Sequence, residues 1–225
     1  MHLVMFDVDG TLVDSAGFDG ALYAQAVREV LNIDVDETWM SYRNVTDSGI
    51  LEELLAEREF GRSVEELRAG VKRRFVELTE DYVARHLSAI REVPGAKILF
   101  ETLCAVPDVR VAVATGGWRE TAWLKLKSIG LALERLPLAT ASDSVERTNI
   151  MKIAEQRAMN GLVPSRRTYF GDAAWDKQAS AHLGYQFIAI GCRVEHEVRF
   201  QDFSDREAVL ARLAVKQPGA PGGDG

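Results

Sequence analysis

The chain has 225 residues, 47% hydrophobic and 27% charged, the makeup of a folded globular protein, which excludes disordered, collagen-like and coiled-coil readings. Its 27 Lys and Arg against 34 Asp and Glu leave a formal charge of −7, which excludes a sequence-blind grip on nucleic acid, because that needs a basic face. No apolar run approaches the ~18 residues of a membrane span, and the N-terminus lacks a signal-peptide core, so a cytoplasmic location without a membrane or nucleic-acid partner is expected.

In chain order, the first element is an apolar strand over His2–Phe6, which runs straight into Asp7-Val-Asp9-Gly10-Thr11-Leu12. A long stretch of helical character follows. Leu22, Ala26 and Val30 form one amphipathic stripe, and Ile50, Leu51, Leu54 and Leu55 form another. Ser63-Val-Glu-Glu66 reads as a capping box, followed by the stripe Leu67, Val71, Phe75, Leu78, Tyr82, with Pro94-Gly95 closing the helix. Four more apolar runs follow, over Val109–Ala114, 136–141, 168–170 and Gln186–Ile190, continuous rather than alternating, as in strands buried on both faces. Helices over 119–129, 145–159 and 173–183, each stopping near a Gly, separate them. This alternation predicts a parallel α/β sheet interrupted by an all-helical insertion. Core segments 1–15 and 93–215, a helical domain over 16–92 and a disordered Pro/Gly-rich tail over 216–225 are expected. Cys104 and Cys192 lie in apolar stretches and read as buried thiols; the four His show no ligand spacing. Lys72-Arg73-Arg74 reads as a solvated helix face, and Trp118 and Trp175 as packing residues.

Open α/β sheets bind ligands beyond the carboxyl ends of their strands. There the sequence places Asp7 and Asp9 after strand one, Thr115-Gly116-Gly117 after strand two, and Gly171-Asp172 with Asp176 after strand four. On adjacent parallel strands these clusters would meet at one rim. Four carboxylates there would repel each other without a cation, so a hard divalent ion with oxygen ligands is implied, and Mg2+ suits such a set.

Asp-Val-Asp-Gly-Thr-Leu-Val-Asp-Ser after an N-terminal strand, Thr-Gly-Gly after the second and Gly-Asp-x-x-x-Asp after the fourth resemble motifs I, II and IV of the haloacid dehalogenase superfamily. The insertion sits where that family carries a C1-type helical cap, as in its phosphoglycolate phosphatase-like and β-phosphoglucomutase-like members. The resemblance implies a Rossmann-like three-layer α/β core with sheet order 3-2-1-4-5. It also implies a Mg2+-dependent phosphohydrolase acting on a small phosphorylated metabolite. Asp7 would be the nucleophile that forms an aspartyl phosphate, and Asp9 the acid and base that serves the leaving oxygen and then water. Dehalogenases and phosphonatases lack an acid at the second motif I position, and the first Lys here is Lys72, so phosphoryl transfer from oxygen is the implied reaction.

Thr115 and the Gly116 amide would hold phosphate oxygens, although Thr-Gly is also an ordinary helix N-cap. The family's motif III cation, usually Lys, falls here on Arg147, close to the predicted helix start, with Lys152 as the alternative. Asp7, the Asp9 carbonyl and Asp172 would bind the metal, and Asp176 would reach a metal-bound water or the motif III cation. Asp14 and Ser15 would set the hinge into the cap. The polar stretch 43–49 is either the substrate-facing cap loop, with Arg43 and Thr46 its candidate specificity residues, or a plain interhelical turn capped by Asp47 or Ser48. A phosphomutase and a non-catalytic phosphate-binding protein remain as alternatives, and monomer and homodimer stay open.

Overall fold

The computed structural model describes residues 1–15 and 17–215; the expected tail over 216–225 lies outside the described residues. In chain order the elements are β1 (His2–Phe6), β2 (Val13–Asp14), α1 (Phe18–Leu31), α2 (Asp47–Ala56), α3 (Val64–Arg85) and β3 (Arg91–Glu92). Then come α4 (Ala96–Cys104), β4 (Val109–Ala114), α5 (Arg119–Ser128), β5 (Leu138–Ala139), α6 (Arg147–Met159) and β6 (Arg166–Gly171). The chain finishes with α7 (Ala174–Leu183), β7 (Gln186–Ile190), β8 (Arg199–Phe200) and α8 (Arg206–Arg212).

A six-stranded parallel sheet runs in the order β5-β4-β1-β6-β7-β8, so the expected 3-2-1-4-5 arrangement holds for the five anticipated strands. β8 extends it at the edge; two residues, Arg-Phe, are too short to show a strand pattern. Every residue of β1 is buried, and alternate side chains serve opposite faces. Val4 and Phe6 join one apolar cluster, with Leu99 and Leu103 of α4, Leu126 of α5 and Val209 of α8. Leu3 and Met5 join another, with Ile150 and Ala154 of α6 and Ala179 of α7. Helices therefore cover both faces, in three layers of Rossmann-like form.

α1, α2 and α3 build a helical lobe around a third cluster, in which Tyr23, Val27, Leu51, Leu67, Val71 and Phe75 are buried. The chain passes between lobe and sheet through the antiparallel pair β2–β3, where Arg91 meets Asp14 at 2.8 Å. Trp118 joins the lobe cluster from the sheet side and packs on Tyr23 and Phe75 at 5.7 and 5.8 Å.

Several sequence expectations change. α3 starts where expected, with the Ser63 hydroxyl accepting from the Glu66 amide, but ends at Arg85 rather than at Pro94. The chain must turn there to bring Arg91 and Glu92 beside β2, and the His86 amide closes the helix on Tyr82 and Val83. The third predicted strand shrinks to Leu138–Ala139, because Pro137 has no N–H to donate and Leu136 turns back on Leu133. Both cysteines are exposed, Cys104 at the outer end of α4 and Cys192 in the loop after β7.

Candidate active site

Phe6 pairs with Val113 on one side and Phe170 on the other, so β1, β4 and β6 end level with one another. The residues just beyond them converge on one cavity of about 550 Å³, lined by Asp7, Asp9, Thr115, Gly116, Arg147 and Asp172, with Val45, Thr46 and Asp47 of the helical lobe opposite. Strand register brings Asp7, Thr115 and Asp172 together, and α6 and the lobe add the rest.

One carboxylate oxygen each from Asp7, Asp172 and Asp176 lie within 4.8 Å of one another, all three buried. Gly10, at φ 75°, permits this approach: a Cβ there would come within 2.0 Å of the Asp172 carboxylate. The cluster is short of positive charge. Burial, then the neighbouring Asp176, holds Asp7 well above the usual carboxylate range, against the pull of Arg147. Burial and Asp176 push Asp172 up to about 6, with Arg193, 2.9 Å away, opposing the rise. Burial also raises Asp176, although Arg147 and the Ala173 amide favour its charged form.

Arg147 brings a largely buried cation into the site. It opens α6 and, with only 12% of its side chain exposed, places Nη1 2.8 Å from Asp176 and 3.5 Å from Asp7, while Nη2 donates to the Val45 carbonyl. A side chain on Gly116 would collide with it, a Cβ standing 2.5 Å from Nη2. The motif alternative, Lys152, is exposed on the outer side of α6 and lines no part of the cavity.

The 43–49 stretch docks against the sheet rim. Thr46, not Asp47 or Ser48, caps α2, accepting from the Gly49 amide while its hydroxyl donates to the Val145 carbonyl at 2.7 Å. The Asp47 amide donates to the Gly116 carbonyl, and its carboxylate accepts from the Trp118 amide, both at 2.8 Å. Ser48 donates to Ala141. Arg43, the other residue expected to face substrate, is exposed and lines no part of the cavity; its amide donates to Glu53.

Three residues of the site were not anticipated: Lys125, Arg193 and Asp19. Lys125 of α5 lies buried between Asp9 and Asp19, at 2.7 and 2.8 Å. Its signal was present in sequence, as a Lys on the stripe Thr121, Ala122, Lys125, Leu126 of an otherwise core-facing helix side. Arg193 follows β7, at the same strand edge that pointed to Asp172, and could have been read by that rule. Asp19 carries no local signal; Asp47, expected as a possible cap of α2, instead faces the Trp118 amide. Trp175, read as packing, stands on the cavity wall, and Ser15 donates to Asp9 at 2.9 Å.

Asp47 gives the site a pH signature. Burial, then the nearby Asp19, raises its carboxyl to about 8, against the Trp118 amide, so the folded protein holds a proton there that the unfolded chain gives up above about pH 4. Its contribution to stability therefore falls as pH rises from about 4 to about 8. Asp47→Asn, which keeps an oxygen for the Trp118 amide, is expected to flatten the fall of unfolding free energy between these limits by about 2 kcal/mol, partial exposure having reduced the effect. Denaturant melts across this range would show it; unchanged slopes would mean that Asp47 is ionised in the folded state.

No curated protein matches this chain closely enough in sequence to count as a relative. Among solved structures it is similar in fold to a hydrolase from Pseudomonas syringae, at 21% identity and TM-score 0.73, over 95% of this chain and 99% of that one. CbbY from Rhodobacter sphaeroides in complex with phosphate is similar at 16% identity and TM-score 0.67, over 90% and 95%. A putative phosphoglycolate phosphatase from Lactobacillus plantarum is similar at 21% identity and TM-score 0.56, over 92% and 98%. A family model, haloacid dehalogenase-like hydrolase, matches residues 4–190, the span that carries every acidic residue of the rim, and the chain belongs to that family.

Proposed function

We propose that the protein is a Mg2+-dependent phosphatase that hydrolyses a small phosphomonoester through a phosphorylated Asp7, with the α1–α3 lobe acting as a cap over the site. The observation that carries this reading is the meeting of Asp7, Asp172 and Asp176 within 4.8 Å at the ends of adjacent strands, beside Thr115, Gly116 and Arg147.

The donor set fits a hard divalent cation, since it offers only oxygen and the Gly10 cradle leaves room for Asp172 to converge on Asp7. Asp7, Asp172 and the Asp9 carbonyl would hold the ion, with Asp176 close enough to act directly or through Arg147. When bound, such an ion neutralises phosphate charge and orients the ester for in-line attack. Asp7 attacks phosphorus with one oxygen while Thr115 Oγ, the Gly116 amide and Arg147 hold the non-bridging oxygens, which gain charge in the transition state. Asp9 gives its proton to the departing oxygen, then takes one from the water that cleaves the phosphoenzyme. Val45–Asp47, held to the sheet side through the Trp118 amide, would shield the bound ester from bulk water.

The lobe side of the cavity favours a substrate with a single anionic group. It presents Asp19, Glu37, Asp47, Tyr23, Trp39 and Ile50, and the basic residues among the described lining, Arg147 and Arg193, both come from the sheet domain. A sugar phosphomutase must hold a second phosphoryl position, and nothing on this wall would neutralise it, so hydrolysis is preferred over the mutase alternative. The retained acidic set likewise speaks against a non-catalytic binding protein.

The test is phosphate release from a panel of phosphomonoesters with and without Mg2+, ranked by kcat/KM. Esters with neutral or cationic alcohols should lead those with a second phosphate or carboxylate by about tenfold or more, and EDTA should abolish release. No release from any ester, or a bisphosphate at the head of the ranking, would overturn the respective part of the reading. Mg2+ should also raise the melting temperature, because it binds only the folded cluster.

A further inference from the structure

We infer that Lys125 is a positioning residue for proton transfer by Asp9, and that through Asp19 it ties this carboxylate to the helical lobe; the inference rests on the phosphatase reading above. Lys125 lies in the core-facing stripe of α5, beside buried Thr121, Ala122 and Leu126, where an apolar side chain would pack without cost. Its side chain is 1% exposed. A buried ammonium is tolerated only when carboxylates repay its lost hydration, and here two do, from different parts of the molecule. Nζ is 2.7 Å from Asp9 Oδ1, at the end of β1, and 2.8 Å from Asp19, in the first turn of α1.

Asp9 Oδ1 is thus gripped from behind by Lys125 and, at 2.9 Å, by the Ser15 hydroxyl. That leaves Oδ2 for the proton at the cavity that Asp9 lines, with Asp19 balancing the Lys125 charge while Asp9 is protonated. When Asp7 bonds to phosphorus, the bond from phosphorus to the leaving oxygen breaks, its electron pair stays on that oxygen, and the Asp9 proton moves there. A carboxyl that wanders by an ångström loses much of this assistance. Because Asp19 belongs to the lobe, Asp9 is braced fully only when α1 sits against the sheet domain.

The discriminating measurement is dependence on the leaving group. p-Nitrophenolate departs without a proton, whereas the alkoxide of an alkyl phosphate needs one. In the full-length enzyme, Lys125→Met should lower kcat on an alkyl phosphate by about 10²-fold, with KM nearly unchanged, and on p-nitrophenyl phosphate by less than about 5-fold. Lys125→Arg should recover most of the loss. Equal losses on both esters, or none, would overturn the inference. If Lys125→Met does not fold, Asp19→Ala, which keeps the ammonium on Asp9 but removes its acceptor on α1, should give the same selective loss at about 3- to 10-fold, and an unselective effect would overturn it. Should wild-type enzyme hydrolyse neither ester, the phosphatase reading fails by itself, and a crystal structure of whichever variant folds still decides the positioning claim. The Asp9 carboxylate should leave its wild-type rotamer, and an unmoved Asp9 sinks the claim.

Discussion

Asp7→Asn is expected to release phosphate at least about 10⁴-fold more slowly than wild type while the folded protein loses no stability. The catalytic half follows from chemistry: an amide has no anionic oxygen to offer phosphorus, and Asp172, after β6, and Asp176, in the first turn of α7, cannot take its place in line. The stability half follows from the crowding of charge. Asp7 is buried, and burial with the adjacent Asp176 works against its ionised form. The substitution removes a charge that the folded state holds at a cost, so the melting temperature without metal should stay level or rise. With Mg2+ the order should reverse, because the variant has lost one oxygen donor and binds the ion less tightly. Phosphate-release assays and thermal melts with and without Mg2+ check both halves. Activity within tenfold of wild type would remove Asp7 as nucleophile, and a marked loss of stability without metal would mean that the cluster is not strained by repulsion.

Arg147→Met should cost about 3–5 kcal/mol of stability and lower kcat by about 10²- to 10³-fold. Arg147 is the counter-ion of Asp176, which has no exposed side-chain surface, and it stands 3.5 Å from Asp7. Its loss leaves two carboxylates buried with their charge uncompensated. Saturating Mg2+ should restore part of the stability, since an ion at the same oxygens supplies positive charge, but not the catalytic loss if the guanidinium binds phosphate. Lys152→Met provides the contrast. That side chain is exposed on the same helix, and its removal should change stability by no more than about 0.5 kcal/mol and leave kcat unaltered. Equal effects of the two substitutions would refute the assignment of Arg147.

The choice between these two cations shows where reading the chain stops. Both lie near the start of one helix, five positions apart, and helical periodicity allows either to face the rim. The packing of Ile150, Met151 and Ala154 against the sheet sets the rotation of α6 and turns Arg147 inward. The same limit applied to the cap loop. Its polarity and place between helices marked it as a substrate-facing candidate, but docking through Thr46, Asp47 and Ser48 left Arg43 outside. Lys125 stands in the stripe of α5, where a charged residue has meaning only once its two partners are known.

Local chemistry by itself determined that this is a parallel α/β protein with a helical insertion and an acidic rim. Continuous apolar runs, helix stops at Gly and acids directly after strands are properties of neighbouring residues, and desolvation acts on each where it stands. Tertiary structure alone decided which groups touch: the pairing of Asp172 with Arg193, the bracing of Asp9 by Lys125 and Asp19, and the seat of Asp47 against Trp118. Contacts between residues 21 to 116 positions apart depend on strand register and helix rotation, which are set by the packing of the whole core and leave no trace at either position alone.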